Sequence, residues 1–161
     1  MGLFSHNKTA SSEPASVPRP DVERDEDGVP LTPTQPLRDV DREEIDGHLQ
    51  ALAEAGVDVD DLASLSDGLD TAYQGWAVAK DSDHGQIVQQ FSVGIGEHLA
   101  RHTDLEWSLV SDVFGTDLGL VESRRAMFMV VPSNIVAARW MRGETMWIPD
   151  VVGHLVRRRD R

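Results

Sequence analysis

The chain has 161 residues, with 15 Lys and Arg against 28 Asp and Glu, a formal charge of −13, and no cysteine. A length of this order suits one domain. The lack of cysteine excludes a disulfide scaffold, a thiolate-zinc site and a cysteine nucleophile, and the acidic balance opposes partnership with nucleic acid or an anionic membrane, both of which call for a basic face.

Residues 1–38 hold six of the eight prolines, many Ser, Glu and Asp, and few large apolar side chains. Such a stretch buries too little surface to offset its ordering entropy. It is expected to be a disordered Pro-rich, acidic tail, followed by a single α+β domain over residues 39–161. The acidic run from Asp21 to Asp27 reads first as solubilising and second as an interaction motif. The start, Met1-Gly2-Leu3-Phe4-Ser5-His6, lacks the apolar run of roughly 7–15 residues of a secretory signal. It also places His6 where a myristoylation motif wants Ser or Thr. No apolar stretch approaches the roughly 20 residues of a membrane helix, so a cytoplasmic location is expected.

The first helix is expected from Asp41 to Ala55, capped by Asp39 or Asp41. Ile45, Leu49 and Leu52 form its apolar stripe, and Gly56 stops it. A second helix starts near Asp60 and runs to about Ala79, with Leu62, Leu65, Leu69, Ala72, Tyr73 and Trp76 in one stripe. Residues 81–85 form a loop. A third helix runs from about Gly85 to Arg101 on Ile87, Phe91, Ile95 and Leu99. Gly94 and Gly96 interrupt it at a cost of about 1 kcal/mol each against Ala. Their use is the close approach of a neighbouring element.

The apolar period then falls from about four to two. Trp107–Val113, Leu118–Glu122 and Ala126–Val131 read as a three-stranded antiparallel meander, turned by Gly115-Thr116-Asp117 and by Ser123-Arg124-Arg125. Ser133 or Asn134 caps a fourth helix carrying Ile135, Val136 and Trp140 and closed by Gly143. Pro149 opens a final helix that ends in Arg157-Arg158-Arg159, where cations suit the helix C-terminus. The fold class is α+β: N-terminal helices, the meander, then two C-terminal helices that cover one face of it.

Several positions then form a set: Asp83-His84-Gly85-Gln86-Ile87-Val88, the pair Gly94 and Gly96, and Glu106-Trp107. Asp112, Gly115-Thr116-Asp117-Leu118, Pro132-Ser133-Asn134 and Arg139-Trp140-Met141 complete it. Over roughly residues 60–158 this set resembles an actinobacterial family known only as a domain of unknown function. The resemblance implies a small intracellular α+β domain. It brings no activity, ligand or functional residue.

Chemical motifs are sparse. His98 and His102 share a helix face with Glu97 nearby, which makes them candidate zinc ligands. Their order is not that of the H-E-x-x-H proteases, and a third ligand has to come from His84 or Asp104. Two ordinary surface histidines are the simpler reading. Asp81-Ser82-Asp83-His84-Gly85 misplaces the glycine of a calcium loop. Gly94-Ile95-Gly96 lacks the third glycine and preceding strand of a phosphate loop. Asp112 and Asp117 flank a turn, as Asp commonly does. Ser108 and Ser111 have no nucleophile-elbow context. No catalytic set and no cofactor are expected.

Trp76 and Trp107 read as core residues. Arg139, Trp140, Met141 and Trp147 are of the types enriched at protein interfaces, and they are the interface candidates; packing of both tryptophans on the sheet is the competing reading. Residues 39–150 carry 21 acidic and 7 basic side chains, an excess that serves solubility or a basic partner. The expected function is a non-catalytic interaction module with an unidentified protein partner or a second copy of itself. The alternatives are a metal-dependent enzyme using His98 and His102, and an acidic nucleic-acid mimic or antitoxin-like partner of a basic protein.

Overall fold

The computed structural model describes residues 34–79, 83–111, 115–122 and 128–159. Their elements are β1 (Thr34–Gln35), α1 (Asp39–Glu54), α2 (Leu62–Ala79), α3 (His84–His102), β2 (Leu105–Ser111), β3 (Thr116–Glu122), β4 (Met129–Val130), α4 (Pro132–Arg142) and α5 (Ile148–Arg159). The α+β class is as expected, with one more strand. The four strands form an antiparallel sheet in the order β1-β2-β3-β4.

The added strand lies inside the segment expected to be tail. Thr34 pairs with Val110 and Gln35 with Leu109. The Ser108 hydroxyl donates to the Gln35 carbonyl at 2.8 Å. The rest of the expected tail, up to residue 33, lies outside the described residues.

The first strand of the meander begins two residues earlier than its alternation suggested. Thr103 sets the break: its hydroxyl donates to the Leu99 carbonyl, ending α3, and accepts from the Leu105 N–H, starting β2. Thr116 and Asp117 are not turn residues. They pair with Ser111 and Val110, which leaves the connection to Gly115 and to residues 112–114, outside the description. Of the third expected strand, residues 128–131 are described, and only Met129–Val130 form strand, paired with Val121 and Leu120; residues 123–127 are not described.

The N-terminus of α1 differs from expectation for a physical reason. Arg38, not an aspartate, occupies the cap position. Asp41 sits in the first turn and accepts from the Arg38 backbone N–H at 2.8 Å and from its guanidinium at 2.9 and 2.7 Å. The guanidinium bonds, then the backbone bond, hold the Asp41 carboxyl at about 2, below its usual 3.8. The stability this gives is complete above the usual value and is lost as pH falls from there toward 2. Asp41→Asn is therefore expected to flatten the acid-unfolding curve, followed by circular dichroism, in that window alone.

The C-terminus of α1 is as the sequence indicated. Gly56 takes φ 77°, and the N–H groups of Gly56 and Val57 return to the carbonyls of Ala53 and Leu52. This pairing satisfies the last carbonyls and turns the chain inward at Val57. Helix α2 starts at Leu62, two residues after the expected Asp60, and Asp61 caps it, accepting from the Ala63 N–H at 2.9 Å.

Helix α3 runs through the middle of the molecule. Its residues 91–96, 98 and 99 are all buried, against α1, α2, α4, α5 and the sheet. The two glycines have the expected use. A Cβ on Gly94 would lie 2.7 Å from Leu52 Cδ1 and 3.0 Å from Leu65 Cδ2; a Cβ on Gly96 would lie 2.1 Å from Trp107 Cη2. Trp107, Leu109, Leu118 and Leu120 share one sheet face by register, and α3 closes that face. No helix among the described residues is long and apolar enough to cross a membrane.

Candidate functional site

His98 and His102 meet near the end of α3 in different surroundings. His98 is 5% exposed, and its Nδ1 donates to the Val59 carbonyl at 2.8 Å. Burial pushes its imidazole below the usual histidine range; the Val59 bond opposes this and neighbouring His102 adds to it. The His98 and His102 rings are 4.3 Å apart. His102 meets Asp60 at 3.3 Å, and Asp60 also accepts from Arg101 at 2.8 Å. The proposed third ligands are elsewhere. His84 lies against Trp76 and Trp140, and Asp104 accepts from Arg159 at 2.7 and 3.1 Å. Among the described residues no group of three or more His, Asp and Glu is arranged to hold a metal ion. The buried histidine of this pair ties α3 to the α1–α2 connection.

The interface candidates do come together, with roles the sequence did not separate. Helix α4 ends at Gly143, which takes φ 63°. The N–H groups of Gly143 and Glu144 return to the carbonyls of Trp140 and Arg139, the same closure that ends α1. Arg142 and Arg139 both pair with Glu144. The turn then reaches Met146, which has φ 58°, the only positive φ at a non-glycine among the described residues. Its N–H donates to Asp70 Oδ2 on α2 at 3.0 Å.

Trp140 and Trp147 are 5% and 7% exposed, whereas Met141 and Met146 are 78% and 74% exposed. The indoles therefore support the turn from below, and the thioethers face out. Trp140 meets Tyr73 edge-on, with centroids 5.0 Å apart and planes at 83°. It meets Trp76 at 5.4 Å. The Arg139 guanidinium lies 4.7 Å from the Trp147 ring centroid, a cation–π contact. Trp140 Nε1 is buried without a hydrogen-bond partner among the described residues, which makes this support less than fully satisfied.

Tyr73 and Trp76 were legible as an apolar stripe of α2, and nothing in that stripe tied them to Trp140. Asp70 was missed altogether. Burial raises its carboxyl above the usual range; the Met146 N–H opposes this, and the charge of Asp67 adds to the rise.

The cavity detail sets a further bound. A small pocket between Ser92, Trp107, Leu118 and Pro132 holds about 20 Å³, room for about one water. The large spaces are open grooves. One of about 620 Å³ lies along α2 and α3, and one of about 670 Å³ lies beside Trp107 and Arg101.

No match is found among curated proteins or among solved structures. The model of a family described as a domain of unknown function, DUF3806, matches residues 69–151, more than half of the chain and the whole of the turn with its supporting cluster; the chain belongs to that family.

Proposed function

We propose that this chain is a cytoplasmic, non-catalytic protein-binding module that meets its partner through the turn between α4 and α5. The observation that carries the reading is Met146. A side chain with a Cβ disfavours the left-handed region by roughly 1–2 kcal/mol, yet Met146 is held there with its thioether exposed. Packing gains nothing from an exposed side chain, so the strain is kept for what the side chain presents. Asp70, Glu144 and Gly143 fix the backbone, and Met141 stands exposed five residues before. Methionine is a side chain that moulds itself to a partner surface. Arg139, Trp140 and Trp147 act as the platform beneath.

Met146→Gly separates the two contributions. Glycine relieves the strain at the cost of its own entropy, so stability is expected to rise by about 0.5–1 kcal/mol in denaturant unfolding. Capture of a partner from the native host, using the intact chain as bait, is expected to fail with this more stable variant and with Met141→Gln. Capture that is unchanged in both variants would overturn the reading.

A further inference from the structure

The groove of about 620 Å³ is bounded by the α1–α2 connection, α2 and α3. Val57, Ile87, Phe91 and Ala72 give it an apolar floor. Gly68 lets Val57 and Phe91 close against α2 to form that floor, since a Cβ there would lie 2.7 Å from Val57 Cγ2 and 3.2 Å from Phe91 Cε1. Asp61 and Asp67 stand in its wall, and no Lys, Arg or His is among the described residues that line it. Asp67 makes no hydrogen bond or ion pair among the described residues. Its charge instead acts on Asp70, one residue triplet further along α2, and Asp70 holds the Met146 N–H. The acidic wall thus runs from the groove toward the methionine turn.

Resting on the binding-module reading, we infer that this groove receives an amphipathic helix of a protein partner, with apolar side chains on Phe91 and Val57 and Lys or Arg side chains at Asp61 and Asp67. A helix sets apolar anchors three and four residues apart along such a floor and leaves its flank for charge pairing. The wall chooses the sign of that flank. Two exposed carboxylates at the edge of the groove repel an acidic helix and equally repel a phosphate backbone or an anionic lipid surface. They also raise the rate of encounter with a cationic segment.

The probe is a synthetic leucine–lysine peptide of about four helical turns, with leucines at three- and four-residue spacing. A leucine–glutamate peptide of the same pattern is its counterpart. Binding is read by fluorescence anisotropy of the labelled peptides, and the fold of each variant by circular dichroism. The intact chain is expected to bind the lysine peptide and not the glutamate one. Asp67→Lys and Thr71→Trp, both at exposed positions, are each expected to weaken binding by about tenfold or more. Glu43→Lys makes the same charge change on α1, away from the groove, and is expected to weaken binding by less than about twofold.

No binding by the intact chain, equal losses for Asp67→Lys and Glu43→Lys, or no effect of Thr71→Trp each overturn the groove assignment. The two readings fail separately. Partner capture that is lost with Met146→Gly, with no peptide binding, leaves the module and removes the groove. Peptide binding at the groove with capture indifferent to Met146→Gly does the reverse.

Discussion

Gly96→Ala is expected to cost about 3 kcal/mol in denaturant unfolding, at the upper end of what overpacking a core usually costs. The added Cβ would lie 2.1 Å from Trp107 Cη2 and 2.5 Å from Cζ2, distances no carbon pair tolerates. The indole cannot simply swing aside. Its Nε1–H donates to Glu97 Oε2 at 3.1 Å, and the other oxygen of Glu97 is held by Arg101 at 2.8 Å. Relief must come from separating α3 and β2, where the sheet meets the central helix. In a Trp107→Leu background the same substitution is expected to cost less than about 1 kcal/mol, giving a coupling of about 2 kcal/mol in the double-mutant cycle. Gly75→Ala in α2 is the internal control. Nothing lies within 4 Å of its added Cβ, so it is expected to gain about 0.5–1 kcal/mol from helix propensity. Equal effects at the two glycines would remove the close-approach account.

That account was already available in the sequence. Two glycines two apart in the middle of a helix have no local use, and a helix tolerates them only where something presses on them. The five helices were legible for a similar reason, since apolar side chains three and four apart record which face is buried. Gly56 and Gly143 were legible as stops because each closure needs one left-handed residue. The sequence was weakest where a structure rests on few residues. β1 has two residues, and Thr34-Gln35 carries no period to read. Its place in the sheet comes from Val110, Leu109 and the Ser108 hydroxyl, all more than seventy residues away.

The site shows the same division more sharply. Composition marks Arg139, Trp140, Met141 and Trp147 as interface types, but composition carries no direction. Neighbouring residues on a helix point about 100° apart. Trp140 can therefore be buried beside Val136 while Met141 is exposed. Met146 depends on Asp70, and no local pattern links a turn to a carboxylate on a helix so far back in the chain. Met146 itself sits where Gly or Asn is the usual choice, a departure visible only once the backbone angle is known.

His98 provides the second large effect, and here pH exposes it. His98→Ala is expected to cost about 2–3 kcal/mol near pH 8, because it leaves the Val59 carbonyl without its donor and opens a cavity beside α3. His98→Gln keeps a donor without a titrating group and is expected to cost less. The unfolded chain takes up a proton on this ring near pH 6.5. The folded chain does so only at lower pH, because burial disfavours the imidazolium. Within that interval the unfolded state binds more protons, so the contribution of a neutral His98 is complete above pH 6.5 and declines as pH falls below it. Asp60 favours the charged ring, whereas His102 and Arg101 oppose it, and all three face it from α3 or the α1–α2 connection. Urea titrations of the intact chain and of His98→Gln from pH 8 downward are expected to converge through this window. Parallel curves would mean that His98 is not the proton-linked contact. Since Val57 of the α1–α2 connection also floors the groove along α2, convergence carries a second consequence. Acidification should loosen the groove wall before it unfolds the sheet, and hydrogen exchange at residues 57–61 should rise ahead of exchange in β2 and β3.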